Sequence, residues 1–541
     1  MSMPQEQGHP KADVIDVEDG GVDNDTSQHG INDVHDDSAR IEAVYRTLDR
    51  RIIPAFWTLY FLASAVRSNV ALAQTMNTAQ RHDLGHVVGV NGKQISTGLA
   101  LFFVFYVVFN VPSNLVMSVV RPHVWMARIM VLVGVVGACM AAMRSVGAFY
   151  ALRILLGLFI AGLWPGLTYY LTLFYPPSRI GTRIGYYFTA SQVSAAVVGL
   201  VSAGFQRMDG LGGLVGFQWM FLLYGIATTL CGIALLWWLP DRPRAPPGAA
   251  ADNHDNEDTT RTTRWYTPLI PRPRPALTGP AAATHYAHLR STYTTPPWTL
   301  HDLTRILLDW RLWPLTLMYF GVVGVGFGVQ NYGTVIIRGI NPGLSSITLS
   351  LLFAPIWVCD LLAILLVTPL SDALGMSGSR GWRRRWGRAG VFAAAVGVQV
   401  LGLLLTTYIP ASRPWGRYVG LLVVGFGLGP TVPVCMAWTS EIFQARHGEV
   451  GVAAASALVS GLGNLGSVTT TYALYTGWEA DGKGSEPFRR SNLVMVGILG
   501  VSFWSAVGLA VVLAVLERRG GGRANVRVER GLSGSRGESS S

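Results

Sequence analysis

Three ionisable side chains stand inside long apolar runs of this 541-residue chain, where no water is at hand to solvate a charge. Arg67 lies in Val66-Arg-Ser-Asn-Val-Ala-Leu-Ala73, Arg153 in Arg153-Ile-Leu-Leu-Gly157, and Asp360 in Trp357-Val-Cys-Asp-Leu-Leu362. A charge at such a depth is costly unless it is paired or faces a wet cavity, so each is a candidate for function. Two guanidiniums at one level make a bidentate clamp for a carboxylate or a sulfate-like group. The alternative for each arginine is to snorkel to the outer headgroups or to bind a backbone carbonyl. Asp360 is suited to take up and release a proton during a transport cycle, or else to a structural hydrogen bond with a neighbouring helix. Glu441 belongs to a cytoplasmic gate network. Asn69, Asn114, Gln192, Gln330, Asn331 and Asn464 either line a pore or join helices to one another, the commoner role of amides in membranes. Tyr169-Tyr170 and Tyr186-Tyr187 are ring pairs suited to stacking on a substrate or to packing.

The elements that position these residues follow from composition. Half of the residues are hydrophobic and 13% are charged, against about 25% charged in a soluble domain. The apolar residues come in long blocks instead of stripes, which makes lipid the solvent. With about 20 apolar residues needed per crossing, twelve spans are predicted. They are 52–73, 95–119, 124–143, 148–174, 185–206 and 217–239, then 312–336, 348–370, 389–409, 417–440, 450–474 and 493–516. The expected fold is an all-α membrane protein, with one six-helix bundle over 46–239 and a second over 312–516. Residues 1–45 and 517–541 are too polar to fold alone and read as disordered cytoplasmic tails. The segment 240–311, with Pro-Arg-Ala-Pro-Pro and Pro-Arg-Pro-Arg-Pro, reads as a disordered cytoplasmic linker. A short surface helix is expected around Trp298–Leu308.

Counting Arg and Lys in the loops, with both termini inside, gives twenty on one side and ten on the other. This bias places the termini, the linker and the 375–388 loop in the cytosol. Arg413 and Arg417 run against the rule, since they would face outside. The formal charge of +11 thus has its source in loop arginines, and no nucleic-acid partner is expected. Cys139, Cys231, Cys359 and Cys435 all fall in apolar blocks and read as small buried hydrophobes, with neither disulfides nor a metal site. No Walker-type phosphate loop is seen, which excludes an ATP-driven pump, and no soluble domain offers a hydrolytic site, so an enzyme is not expected. No cofactor is called for.

Six plus six spans about a long linker resembles the major facilitator superfamily, and within it the fungal anion:cation symporters of the allantoate permease family. The likeness rests on Val66 to Ala73 at the end of span one, Asn110-Val-Pro-Ser-Asn114 in span two, and Arg153, Gly157, Ala161, Gly162, Pro165 and Gly166 in span four. It rests too on Gly216, Trp219 and Phe221 opening span six, with Pro240–Pro243 closing it. In the second half Ser371-Asp372, Trp438 and Gly463-Asn464 match more loosely. The resemblance implies that Arg67 and Arg153 bind an anion. The acidic members of three motifs are replaced by Val66, Asn110 and Ile160. The family's span-four glutamate couples protons in several relatives, which Ile160 cannot do, so Asp360 is the substitute for that role.

The expected function is a secondary active, proton-coupled transporter working by alternating access. Its substrate is a small organic or sulfur-containing anion, in the class of allantoate, vitamin carboxylates or sulfur compounds. Substrate contacts are assigned to Arg67, Arg153, Asn69, Tyr169, Gln192 and Gln330, proton coupling to Asp360, and gating to Asp372 and Glu441. The alternatives are a non-transporting nutrient sensor and an uncoupled uniporter or exchanger. The partners expected are the small anion and the lipid bilayer; the chain is expected to be a monomer in the plasma membrane.

Overall fold

The computed structural model describes residues 24–243, 273, 275–292, 300–376, 382–481 and 488–534. The first half contains α1 (Asn24–Ala73), the short α2 (Leu84–Val88), α3 (Gly92–Val119), α4 (Pro122–Cys139), α5 (Val146–Ile160), α6 (Leu163–Thr172), α7 (Pro177–Arg207) and α8 (Gly216–Trp238). Between the halves stand α9 (Pro280–Thr292) and α10 (Leu300–Leu308). The second half contains α11 (Leu312–Ile340), α12 (Ser346–Met376), α13 (Trp382–Tyr408), α14 (Pro414–Leu428), α15 (Thr431–Gly463), α16 (Leu465–Ala473) and α17 (Arg489–Gly534). Lipid cannot satisfy exposed backbone groups, so apolar runs of this length close their own hydrogen bonds as helices.

Ten stretches of the described residues are long and apolar enough to cross a membrane. The other two predicted spans, 52–73 and 450–474, lie in α1 and in α15–α16. Span four is not one helix, as predicted, but two. Pro165, at the third position of α6, has no N–H to continue the α5 ladder, and the chain breaks at Ala161-Gly162. Span ten breaks likewise at Gly429-Pro430, and α15 runs on through the loop expected at 441–449. α1 begins at Asn24, inside the predicted tail, and α17 ends at Gly534. Once a span has nucleated a helix, each further residue adds a hydrogen bond at little cost. Residues 1–23 and 535–541 of the tails lie outside the described residues. The expected surface helix is present as α10, but α9 was not expected. The four cysteines are free, and only Cys435 is buried; Cys139 is exposed.

The halves meet along α1 with α11, α7 with α12, and α3 with α16. Within the first half α3 and α5 approach closely, because Gly157 has no side chain. A Cβ built there would lie 2.3 Å from the Phe102 carbonyl oxygen, a backbone atom that cannot swing aside. Gly157 stands one turn beyond Arg153, so this contact sets how deeply Arg153 enters the bundle. Gly157→Val should therefore lower the thermal unfolding midpoint in detergent, by the equivalent of about 1–3 kcal/mol of overpacking. Gly147→Ala, at a position with open space around it, should leave the midpoint unchanged.

Candidate functional site

Arg67 and Arg153 come together. They sit late in α1 and early in α5, helices that cross in opposite directions, and Arg153 Nη1 lies 3.5 Å from the Arg67 carbonyl oxygen, to which it donates. Arg153 is fully buried, yet its Nε and Nη2 have no hydrogen-bond partner, nor does Arg67 Nε. The Arg67 guanidinium lies 4.7 Å from the centre of the Phe327 ring on α11, across the division between the halves. Arg153 lies 5.8 Å from the Phe149 ring on its own helix. Neither arginine forms an ion pair among the described residues. Ring faces soften the burial of a cation but do not replace a carboxylate. Asn69, two residues from Arg67, is fully buried with both amide atoms unpartnered.

A cavity of about 290 Å³ opens beside Arg67, lined by Tyr60, Ala63, Ser64, Tyr106, Ile160, Leu163 and Trp164. Tyr60 and Trp164 meet at 5.5 Å between ring centres, and Ser64 Oγ lies 3.1 Å from Ser191 Oγ on α7. Sequence reasoning missed these walls. They come from α1, α3, α5 and α6, and only the folded chain brings them to one place. Tyr169 is half-buried and does not line this cavity. Its neighbour Tyr170 is buried and donates its hydroxyl to the Pro240 carbonyl. Tyr187 is buried against Tyr60, whereas Tyr186 is exposed.

Asp360 stands apart from the arginines, midway along α12. Its carboxylate is fully buried, and neither oxygen has a hydrogen-bond partner in good geometry. Gln192 of α7 is the polar side chain that interacts with it across the halves. The break at Gly429 brings the chain so close that a Cβ there would lie 3.0 Å from Asp360 Oδ1. Gln330 and Asn331 are buried on α11, near the end of the bundle away from the chain termini, where the Asn331 carbonyl accepts from Gln74 Nε2 at 3.2 Å.

That end, away from the chain termini, is sealed. Thr334 Oγ1 donates to the Ala71 carbonyl at 2.9 Å, Gln206 Nε2 to Ser350 Oγ at 3.0 Å, and Lys93 Nζ to the Gly477 carbonyl at 3.2 Å. Ser96 Oγ pairs with the Tyr332 hydroxyl at 2.9 Å, and Arg338 reaches across to Thr75 and Thr78. The hydrogen bonds between the two six-helix bundles, among the described residues, all lie at this end. At the opposite end, where α1 enters and α17 leaves the bundle, the ion pairs stay within a half. Arg183 grips Asp49 through Nε at 2.8 Å and Nη2 at 2.7 Å, and Arg388 holds Glu441 through Nε at 2.9 Å and Nη2 at 2.6 Å. Glu441 thus joins α13 to α15 and makes no described bond to the opposite half. The side chain of Asp372 lies outside the described residues.

The family model described as Major Facilitator Superfamily matches residues 56–471. Vitamin H transporter 1 of Schizosaccharomyces pombe is 42% identical over 511 residues, covering 93% of this chain and 86% of that protein. A putative tartrate transporter of Agrobacterium vitis is 28% identical, covering 88% of this chain and 95% of its own. Among solved structures, the inward-facing, unoccupied form of a bacterial homologue of the human lysosomal transporter Spinster aligns with a TM-score of 0.58 at 14% identity. The alignment covers 85% of this chain and 96% of that chain; at such an identity the likeness is one of fold.

A buried guanidinium without a counter-charge, as at Arg153, weakens the empty protein, because a buried ion pays its desolvation in full when nothing pairs with it. Arg153→Met keeps the length and removes the charge, so it should raise the thermal midpoint of the ligand-free protein by a few degrees, about 1–2 kcal/mol. A fall in the midpoint on scanning calorimetry or tryptophan fluorescence would show that Arg153 is compensated where it stands.

Proposed function

The chain belongs to the major facilitator superfamily, and on that footing we propose that it carries a small organic carboxylate, of the vitamin-carboxylate class, by alternating access. The observation that carries this reading is the Arg67–Arg153 pair, which leaves guanidinium nitrogens unpartnered and has no protein acid beside it. A carboxylate entering from the cavity would supply the missing acceptors and the missing charge. The substrates in the names of the relatives, vitamin H and tartrate, are carboxylic acids. Asn69 completes the polar side of the site, and Tyr60, Tyr106 and Trp164 flank it. The motifs around Arg67, Asn110–Asn114 and Arg153 support placement in the allantoate permease branch. The twofold loop bias supports cytoplasmic termini, as in a plasma-membrane carrier.

Protons couple, on this reading, through Asp360. Ile160 lines the cavity at the place where the family pattern has a glutamate, and it cannot exchange a proton. The same isoleucine favours a second reading, an uncoupled uniporter or exchanger of the same anion.

Counterflow of labelled biotin into proteoliposomes tests the anion site. Arg153→Ala removes a charge-assisted fork and should cut flux at least about thirtyfold, the lower end of the loss when one partner of a buried charge pair is truncated. Arg153→Lys keeps the charge but not the fork and should fall about tenfold. Equal flux in wild type and Arg153→Ala rules out the site.

Coupling is read separately. External acidification should drive accumulation in wild type, while Asp360→Asn keeps counterflow and loses the pH-driven accumulation. An equal drive in both removes Asp360 from the coupling step. A wild type with counterflow and no pH drive is the uniporter.

A further inference from the structure

We propose that Phe327, a residue of the second half, positions the Arg67 guanidinium for the anion, so that the anion is held more tightly while the halves are joined at the sealed end than after they part. Phe327 thereby adds a residue of the opposite bundle to the site, on the reading that Arg67 and Arg153 bind a carboxylate.

Arg67 has little in its own half to hold it. Its side chain makes no hydrogen bond or ion pair among the described residues, and its buried Nε is an unpartnered donor. A long side chain without partners samples several rotamers, and ordering it on binding costs entropy. What orders it beforehand is the Phe327 ring on α11, whose centre lies 4.7 Å from the guanidinium carbon. A ring face attracts a cation without taking up an N–H donor in a conventional hydrogen bond. The fork therefore stays available to a carboxylate.

The ring is seated between the halves. In the first half it meets Phe103 of α3, with 4.7 Å between ring centres and 61° between planes. Phe103 packs edge-on to Phe102 at 5.0 Å, and Phe102 stacks at 6.0 Å on Tyr106, a wall of the cavity. In the second half the glycines on either side of Phe327 let α11 press on its neighbours. A Cβ at Gly326 would lie 3.3 Å from a Leu428 methyl at the end of α14, and one at Gly328 2.4 Å from the Met495 methyl on α17. Phe327 thus belongs to the framework of the second half and travels with it. Two turns beyond it on α11, Thr334 bonds to the carbonyl of Ala71, one turn beyond Arg67 on α1. Opening this end breaks that bond and draws the ring off the guanidinium in the same movement. By linkage, an anion that binds better with the ring in place favours the joined arrangement to the same degree.

The test uses the full chain in nanodiscs, titrated with biotin. Phe327→Leu keeps an apolar side chain but loses the ring face and should weaken binding about tenfold, while Phe327→Tyr keeps the ring and should stay within about twofold of wild type. Looser packing alone would also weaken Phe327→Leu, so the same change is made in Arg67→Met. There it should cost nothing further; an equal loss in both backgrounds overturns the positioning role. State dependence is read from spin labels at Ala79→Cys and Gly343→Cys, exposed positions on either side of the seal. The four native cysteines are replaced by alanine, and the seal is weakened by Thr334→Val with Gln206→Ala. Biotin should shorten the distance between labels, and much less so in Phe327→Leu. A distance indifferent to biotin, or shortened equally in both, overturns the state dependence. A wild type that binds no biotin sinks the carboxylate reading by itself, and thermal midpoints of the ligand-free proteins then decide the contact. Phe327→Leu should lower the midpoint more beside Arg67 than in Arg67→Met; equal falls overturn the hold of the ring on Arg67.

Discussion

Two guanidiniums without an opposing carboxylate, Arg153 fully buried and Arg67 partly so, are the constraint around which the first half is arranged. Lipid and packed side chains offer no ion to pair with Arg153, and the bundle supplies one carbonyl and a ring face. Such an arrangement is costly in the empty protein. It persists only because the surrounding helices over-determine it: α5 is pressed onto α3 at Gly157, and the break at Ala161-Gly162 turns α6 so that Trp164 and Leu163 close over the cavity. On the proposed reading, the energy withheld from stability is available to an anion that brings the missing charge.

The two halves differ in how they are joined at their ends. At the end away from the chain termini, hydroxyls, amides and two basic side chains donate across the division to neutral oxygens, so the closure is many modest bonds broken together. At the other end the strong ion pairs brace each half separately. A half that is rigid in itself and only lightly bonded to its partner is suited to rocking as a body, with Phe103 on Phe327, 4.7 Å between ring centres, as the midplane contact.

Much of this was legible in the sequence. Hydropathy located the spans, and antiparallel crossing put Arg67 and Arg153 at one depth before any contact was known. Charge counting left Arg417 unexplained, because it assumes that a loop arginine faces water. Arg417 is buried, and its Nε donates to the Ile409 carbonyl at 2.6 Å, closing the end of α13. Tyr169 was named from its ring pair in the sequence, whereas the rings that face the cavity, Tyr60, Tyr106 and Trp164, come from three helices that only the folded chain brings together. The docking of α9 was invisible for a similar reason. Its sequence has no apolar period, and its anchors are Tyr45 and Phe174, more than a hundred residues away.

Ile160 has one more consequence. With no acid lining the cavity beside Arg67, two fixed positive charges stand in the membrane's electric field, and the monovalent anion proposed as cargo would leave one. A potential of 100 mV acts on each such charge with about 2.3 kcal/mol across the full bilayer. Exchange of one anion for another moves no net charge, whereas net entry of a lone anion into a negative interior runs uphill. For the proposed anion, the membrane potential would therefore enter the cycle directly, as a driving force distinct from any gradient of protons.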